Sequence, residues 1–263
     1  MNAKYKDSIK FLRNKINTKT DIGLILGSGL GKFADSLESK ISISYSEIPN
    51  YFSSNVKGHD GMFVFGASSG KNVVALKGRI HMYEGYSENN IARQIKVLDG
   101  LGVKYLIITN SAGSLIKENP PGTFLIINGH IDASFRKNSL KPSIVSSAKY
   151  YSKRLISIAK NVFIEKKIRF NSGIYCWTLG PSYETPDEIR YFKKVKGSAV
   201  GMSTVPEIKE GGRLGMELLT ISTLTNYAAG INKAKLSHNE VLSIANQASP
   251  LFIGSLKEII RRI

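Results

Sequence analysis

The sequence predicts a single α/β domain over residues 1–263, built on a central mixed, largely parallel β-sheet flanked by helices. Three observations carry that prediction. Short runs rich in Ile, Leu and Val recur along the chain, patterns with helical spacing fall between them, and helix starts are marked by capping residues. With 263 residues, 42% of them hydrophobic, the chain is long enough to bury a substantial core.

The first apolar run, Asp21 to Gly27, is too short for a stable helix and reads as a buried strand. It ends in Gly27-Ser28-Gly29-Leu30-Gly31, a turn that leads into an expected helix over Leu30 to Leu37. A second strand is expected over Asn72 to Lys77, followed by a helix over Ser87 to Leu101. Strands over Lys104 to Thr109 and Thr123 to Asn128 come next, then a helix over Ser146 to Lys167 and a strand over Ser172 to Thr178. Thr185-Pro186-Asp187-Glu188 places a capping hydroxyl, a proline at the first helical position and a glutamate at the third, so a helix is predicted from Thr185 to Lys196. Ser237-His238-Asn239-Glu240 repeats the pattern after a strand over Met216 to Thr225 and opens a helix running to Arg262. Pro250 is expected to kink or split that helix. The chain shows no repeat, low-complexity tract or linker.

Composition narrows the function classes. No stretch approaches the ~20 apolar residues that cross a bilayer, and residues Met1 to Asn14 carry four Lys or Arg without an apolar run. Neither membrane insertion nor secretion is expected. The single cysteine, Cys176, has no partner for a disulfide and no neighbour at metal-ligand spacing, which suits a reducing, cytoplasmic setting. The formal charge of +17 admits nucleic acid, anionic lipid or a small anion as partner. Because the cations are spread end to end rather than gathered in a tail, a solvated surface is favoured, and a basic nucleic-acid-binding protein is the rival from another class.

Three segments concentrate polar chemistry at strand ends. The Gly27–Gly31 turn offers backbone N–H groups and the Ser28 hydroxyl to an anion, since glycine leaves room for close approach. It departs from a dinucleotide fingerprint, having G-x-G-x-G with Lys32 after it. In Gly78-Arg79-Ile80-His81-Met82-Tyr83-Glu84-Gly85-Tyr86, Arg79 and His81 stand two apart, so in extended backbone they project to one side and can clasp a phosphate. After the strand ending at Thr109, the residues Asn110-Ser111-Ala112-Gly113-Ser114 are small and polar, and their amides suit the same anion.

GSGLG, GRIHMYEGY, TNSAG, GPSYETPDEIR, VGMSTVPE and TNYAAG occur in this order between Gly27 and about Glu240. Six ordered blocks make the chain resemble the trimeric purine nucleoside phosphorylases and their methylthioadenosine phosphorylase relatives. The resemblance implies a phosphate site of Ser28, His59, Arg79, His81, Ser111 through its backbone, and Ser203, with His59 closing from a loop. It implies ribose against Tyr83 and Met202, His238 at the 5′-hydroxyl, and a base bordered by Ala112, Gly113, Tyr183, Val200 and Thr225. Glu184 and Asn226 would hold the base edge, and His81, Glu184, Asn226 and His238 would carry the catalytic roles. Inorganic phosphate is then a co-substrate, with no metal or organic cofactor, and the assembly is a homotrimer.

The implied chemistry explains these residue types. Glycosidic cleavage passes through an oxocarbenium-like sugar, which an adjacent phosphate both stabilises and attacks. A carboxylate at position 184 accepts from the N1–H of a 6-oxopurine but would face a lone pair on adenine. The methylthioadenosine enzymes usually carry aspartate and serine where Asn226 and Glu184 stand, so inosine and guanosine are the expected substrates and methylthioadenosine the alternative. Taken singly, each residue also has a bland reading: Glu184 favouring a helix N-terminus, Asn226 a strand-end turn, His238 a first-turn residue, Val200 and Met202 ordinary core. The chain departs from the family pattern between Asn128 and Ser146, where it has Gly129-His130-Ile131-Asp132-Ala133-Ser134-Phe135-Arg136, and Phe135 is the candidate there for an aromatic that caps a neighbouring subunit's ribose site.

Overall fold

The computed structural model describes residues 3–52, 61–135, 142–232 and 237–263. Its elements in chain order are α1 (Ala3–Lys15), β1 (Ile22–Leu26), α2 (Gly31–Asp35), β2 (Glu38–Ser44), β3 (Met62–Ser68), β4 (Lys71–Lys77), α3 (Glu88–Leu101), β5 (Tyr105–Ser114), β6 (Phe124–Asp132) and β7 (Ile144–Val145). There follow α4 (Lys153–Glu165), β8 (Phe170–Trp177), α5 (Pro186–Lys194), β9 (Ala199–Gly201), α6 (Val205–Arg213), β10 (Glu217–Tyr227) and α7 (His238–Arg262). Among the described residues no helix is long and apolar enough to cross a membrane.

One mixed sheet runs β10-β6-β8-β9-β5-β1-β4-β3-β2, with β7 on the flank of β6. Strand β10 also pairs with β5, so β5, β10, β6, β8 and β9 close into a ring while β1, β4, β3 and β2 extend from it as an open sheet. The expected mixed sheet is present. Five of the ten pairings between described strands are parallel, including the two with most paired residues, β5–β10 and β6–β8. Alternation along the central strands divides the core between the sheet's faces: Ile25, Val74, Leu76, Leu106 and Ile108 enter one cluster, and Leu24, Leu26, Val73, Ala75 and Ile107 the other. Each buried Val, Leu or Ile among them contributes roughly 1.5–3 kcal/mol, which ties the helices on both faces to the strands between them.

The helix starts follow their local chemistry. Thr185 and Glu188 form a complete capping box with Pro186 at the first turn, as predicted, and Ser87 with Asn90 builds another before α3. Ser237 departs from expectation, since its side chain makes no capping hydrogen bond. Pro250 lies inside α7 without splitting it. The helix expected from Ser146 begins instead at Lys153, because the Ser152 hydroxyl accepts from the Leu155 amide and a turn joins Ser147 to Tyr150. Two strands outrun their sequence boundaries furthest: β5 continues through Ser114 and β6 through Asp132, because each gains further partners in the ring. The segment 110–114, expected to follow a strand, is therefore part of one.

Candidate active site

A cleft opens where the open sheet meets the ring. Its position follows from a break in strand pairing. On one edge of β5, β1 pairs as far as Ile108, and β9 begins only at Gly113. The edge between them faces the cleft, where Thr109 O accepts from Arg79 Nη2 at 3.0 Å. Residues two apart on a strand direct their backbone groups to the same edge, so the Ser111 amide faces the same way as the Thr109 carbonyl.

The glycine turn after β1 reaches this gap. Leu30 N donates to Gly27 O at 3.1 Å with Gly29 at φ 81°, a turn that needs glycine at its third position. A Cβ on Gly27 would lie 2.7 Å from Asn110 Cα, so only glycine lets the turn lie against β5. Ser28 is thereby placed on the cleft wall.

Arg79 leaves β4 almost wholly buried, at 2% exposure, and its guanidinium is held on several sides. Nη1 donates to Ser203 Oγ at 2.7 Å and to Thr204 Oγ1 at 3.1 Å. Nε lies 3.3 Å from Glu207 Oε1, a buried ion pair in which, among the described residues, neither Glu207 oxygen accepts a hydrogen bond. His81 takes the extended conformation expected of it, its Nδ1 3.1 Å from Glu84 Oε1 and its ring stacked on Tyr83 at 4.7 Å between centroids. Burial pushes the Tyr83 phenol up to about 12, with Glu84 adding to the shift and Arg79 opposing it.

Thr204 lies between β9 and α6 in a conformation that non-glycine residues avoid, φ 82° and ψ −45°. Val205 N donates to Ser203 O at 2.9 Å, closing a three-residue γ-turn of the strained hand. Such strain costs about 1–3 kcal/mol and persists only where surrounding contacts hold it. Here the Thr204 hydroxyl accepts from Arg79 and also from Asn110 Nδ2 at 2.9 Å, and lies 3.0 Å from Ser203 Oγ.

At the far end of the cleft, Tyr183 and Glu184 stand just ahead of the α5 cap. Burial pushes the Glu184 carboxyl above the usual carboxylate range, while Thr178 Oγ1, donating to Oε1 at 2.7 Å, opposes the shift. Asn226 closes β10 opposite Gly113: its Oδ1 accepts from Thr225 Oγ1 at 3.1 Å and its Nδ2 donates to Tyr227 O at 3.0 Å. A Cβ on Gly113 would crowd that amide at 3.2 Å.

One cleft is lined by Ser28, Arg79, His81, Tyr83, Ser111, Ala112, Gly113, Tyr183, Glu184, Val200, Met202, Ser203, Thr225 and Asn226. His59 lies outside the described residues. His238 begins α7 one turn before Val241, which lines the cleft, but its side chain is also outside them. Thr204 and Glu207 were assigned nothing from the sequence and Asn110 no side-chain role, although each sits inside a quoted motif. Their signal is conformational, in buried polar contacts that residue type alone does not announce.

A model of the phosphorylase superfamily matches residues 21–261. The chain belongs to that superfamily. Among its relatives, purine nucleoside phosphorylase 1 of Geobacillus stearothermophilus is 41% identical over 98% of this chain and 97% of its own length. The fold matches a crystal structure of Schistosoma mansoni purine nucleoside phosphorylase in complex with inosine at a TM-score of 0.90, with 32% identity, covering 99% of this chain and 96% of that one. A structure of the Schistosoma mansoni enzyme in complex with adenosine matches at 0.89 with 33% identity, covering 98% and 96%. Residues from each of the blocks that carried the resemblance line this one cleft, from the Gly27 turn to Asn226.

Proposed function

We propose that this phosphorylase cleaves 6-oxopurine nucleosides such as inosine and guanosine with inorganic phosphate, giving free base and α-ribose 1-phosphate without a metal or organic cofactor. The observation that supports it above others is the distribution of chemistry along one cleft, with a buried guanidinium among hydroxyls at one end and a carboxylate and an amide at the other.

Phosphate takes the end formed by Ser28, Arg79, His81, Ser203 and the Ser111 amide. Ribose lies against Tyr83 and Met202, and the purine beside Tyr183, Val200 and Gly113. A phosphate oxygen attacks the anomeric carbon from the face opposite the base, and the C–N bonding pair passes to the purine. Displacement from that face inverts the centre and gives the α-anomer. The purine leaves more readily with a donor at N7, supplied by Asn226, while Glu184 as carboxylate accepts from N1–H. Fixing both reactants in one cleft lowers the barrier by removing their relative motion before the chemical step.

The deciding assay follows inosine, guanosine, adenosine and methylthioadenosine with and without phosphate, measuring free base and sugar phosphate. Phosphate-dependent cleavage of the first two is expected. Equal release of base without phosphate makes the enzyme a hydrolase, and preference for either 6-aminopurine substrate removes the role given to Glu184.

A further inference from the structure

We propose that Thr204 is a positioning residue that orients Ser203 as a hydrogen-bond donor to phosphate. The inference rests on the reading of the anion site given above. Thr204 has no exposed surface, so it acts on a ligand only through its neighbours.

Proton bookkeeping within the cluster fixes the direction of each bond. A hydroxyl has two acceptor lone pairs and one proton to give. Arg79 Nη1 and Asn110 Nδ2 can only donate, and both point at Thr204 Oγ1, so they occupy its lone pairs. The Thr204 proton therefore goes to Ser203 Oγ, 3.0 Å away. Ser203 Oγ now accepts from Thr204 and from Arg79 Nη1 at 2.7 Å. With its lone pairs filled, Ser203 has its own proton left to give, and Ser203 lines the cleft. The strained turn makes this possible by bringing two consecutive hydroxyls to the same guanidinium nitrogen, an arrangement in which successive side chains of an extended strand, pointing to opposite faces, cannot share.

The test uses the full-length chain with Thr204→Val, which removes the hydroxyl at nearly constant shape, Thr204→Ser, which keeps it, and Thr204→Gly, which removes it while tolerating the positive φ. Binding of inorganic phosphate is measured by calorimetry without nucleoside, alongside KM for phosphate, KM for inosine and the melting temperature. Thr204→Val and Thr204→Gly are expected to weaken phosphate at least ten-fold while KM for inosine moves less than two-fold, and Thr204→Ser to return phosphate affinity to within three-fold of the parent. Adding Ser203→Ala to Thr204→Val should weaken phosphate little further, because the two act through one donor. Parental phosphate affinity in Thr204→Gly, which keeps the experiment valid even where Thr204→Val fails to fold, overturns the proposal. Equal losses in phosphate and inosine also overturn it, as the mark of general disruption. A parent that binds phosphate without phosphate-dependent cleavage defeats the functional reading while leaving the positioning role to be judged on affinity alone.

Discussion

Glu184 holds two opposed influences at once: burial favours its neutral form, and the Thr178 hydroxyl favours the carboxylate. Base recognition through N1–H requires the carboxylate, so activity on inosine should fall on the acid side at a pH above that of an ordinary glutamate. Glu184→Ala should lower kcat/KM for inosine by about a hundred-fold, in line with a charged hydrogen bond worth roughly 1.5–3 kcal/mol, while the melting temperature stays within experimental scatter. A large drop in melting temperature would show Glu184 to be a structural residue. Arg79, Glu184 and Asn226 were visible in the sequence because they fall in ordered blocks. Thr204 and Glu207 were not, since a positive φ and a buried ion pair depend on neighbours far away in sequence, as in the Arg79 to Ser203 contact with its separation of 124.

Between elements, His130 of β6 joins the sheet to the segment ahead of α4, its Nδ1 2.6 Å from Tyr151 Oη. Burial, helped by the charge of Lys209 and opposed by Asp132, brings its pKa down to about 4 from the ordinary 6.5. Between those values the unfolded chain binds the extra proton and the folded chain does not, so stability is full above about 6.5 and declines as pH falls toward 4. The urea midpoint should therefore drop between pH 6.5 and 4.5 more steeply in the parent than in His130→Asn, which retains a polar partner for Tyr151; equal slopes would sink the assignment. Legibility at this scale followed hydrophobic continuity. The uninterrupted runs of β1, β4 and β10 were readable, whereas β2 has five exposed residues in succession and α6 carries Gly211 and Gly212, poor helix formers kept where Leu218 and Tyr150 leave no room for a Cβ. Strand β9 spans only three residues, too few to show any period.

For the whole molecule, an α/β sheet was legible but its closure was not, because the β10–β5 and β9–β5 contacts join strands with no local pattern to link them. The assembly proposed for this phosphorylase is a homotrimer, supported by the family resemblance and by Phe135, which stands 51% exposed after β6. Sedimentation equilibrium should give three times the chain mass of 28.9 kDa, and a monomer at micromolar concentration would refute it. The interrupted edge of β5 has a consequence for which lengths of chain can vary. Ser69 and Gly70 form a two-residue hairpin turn at the surface, where a Cβ on Gly70 would meet only open space. An added residue between Ile108 and Ser111 would reverse the facing of everything beyond it, turning the Ser111 amide from the cleft edge toward β10 and sliding Gly113 out from beneath Asn226. In the reaction proposed above, the window in the sheet is also a ruler, its four-residue span setting how far apart phosphate and base would be held.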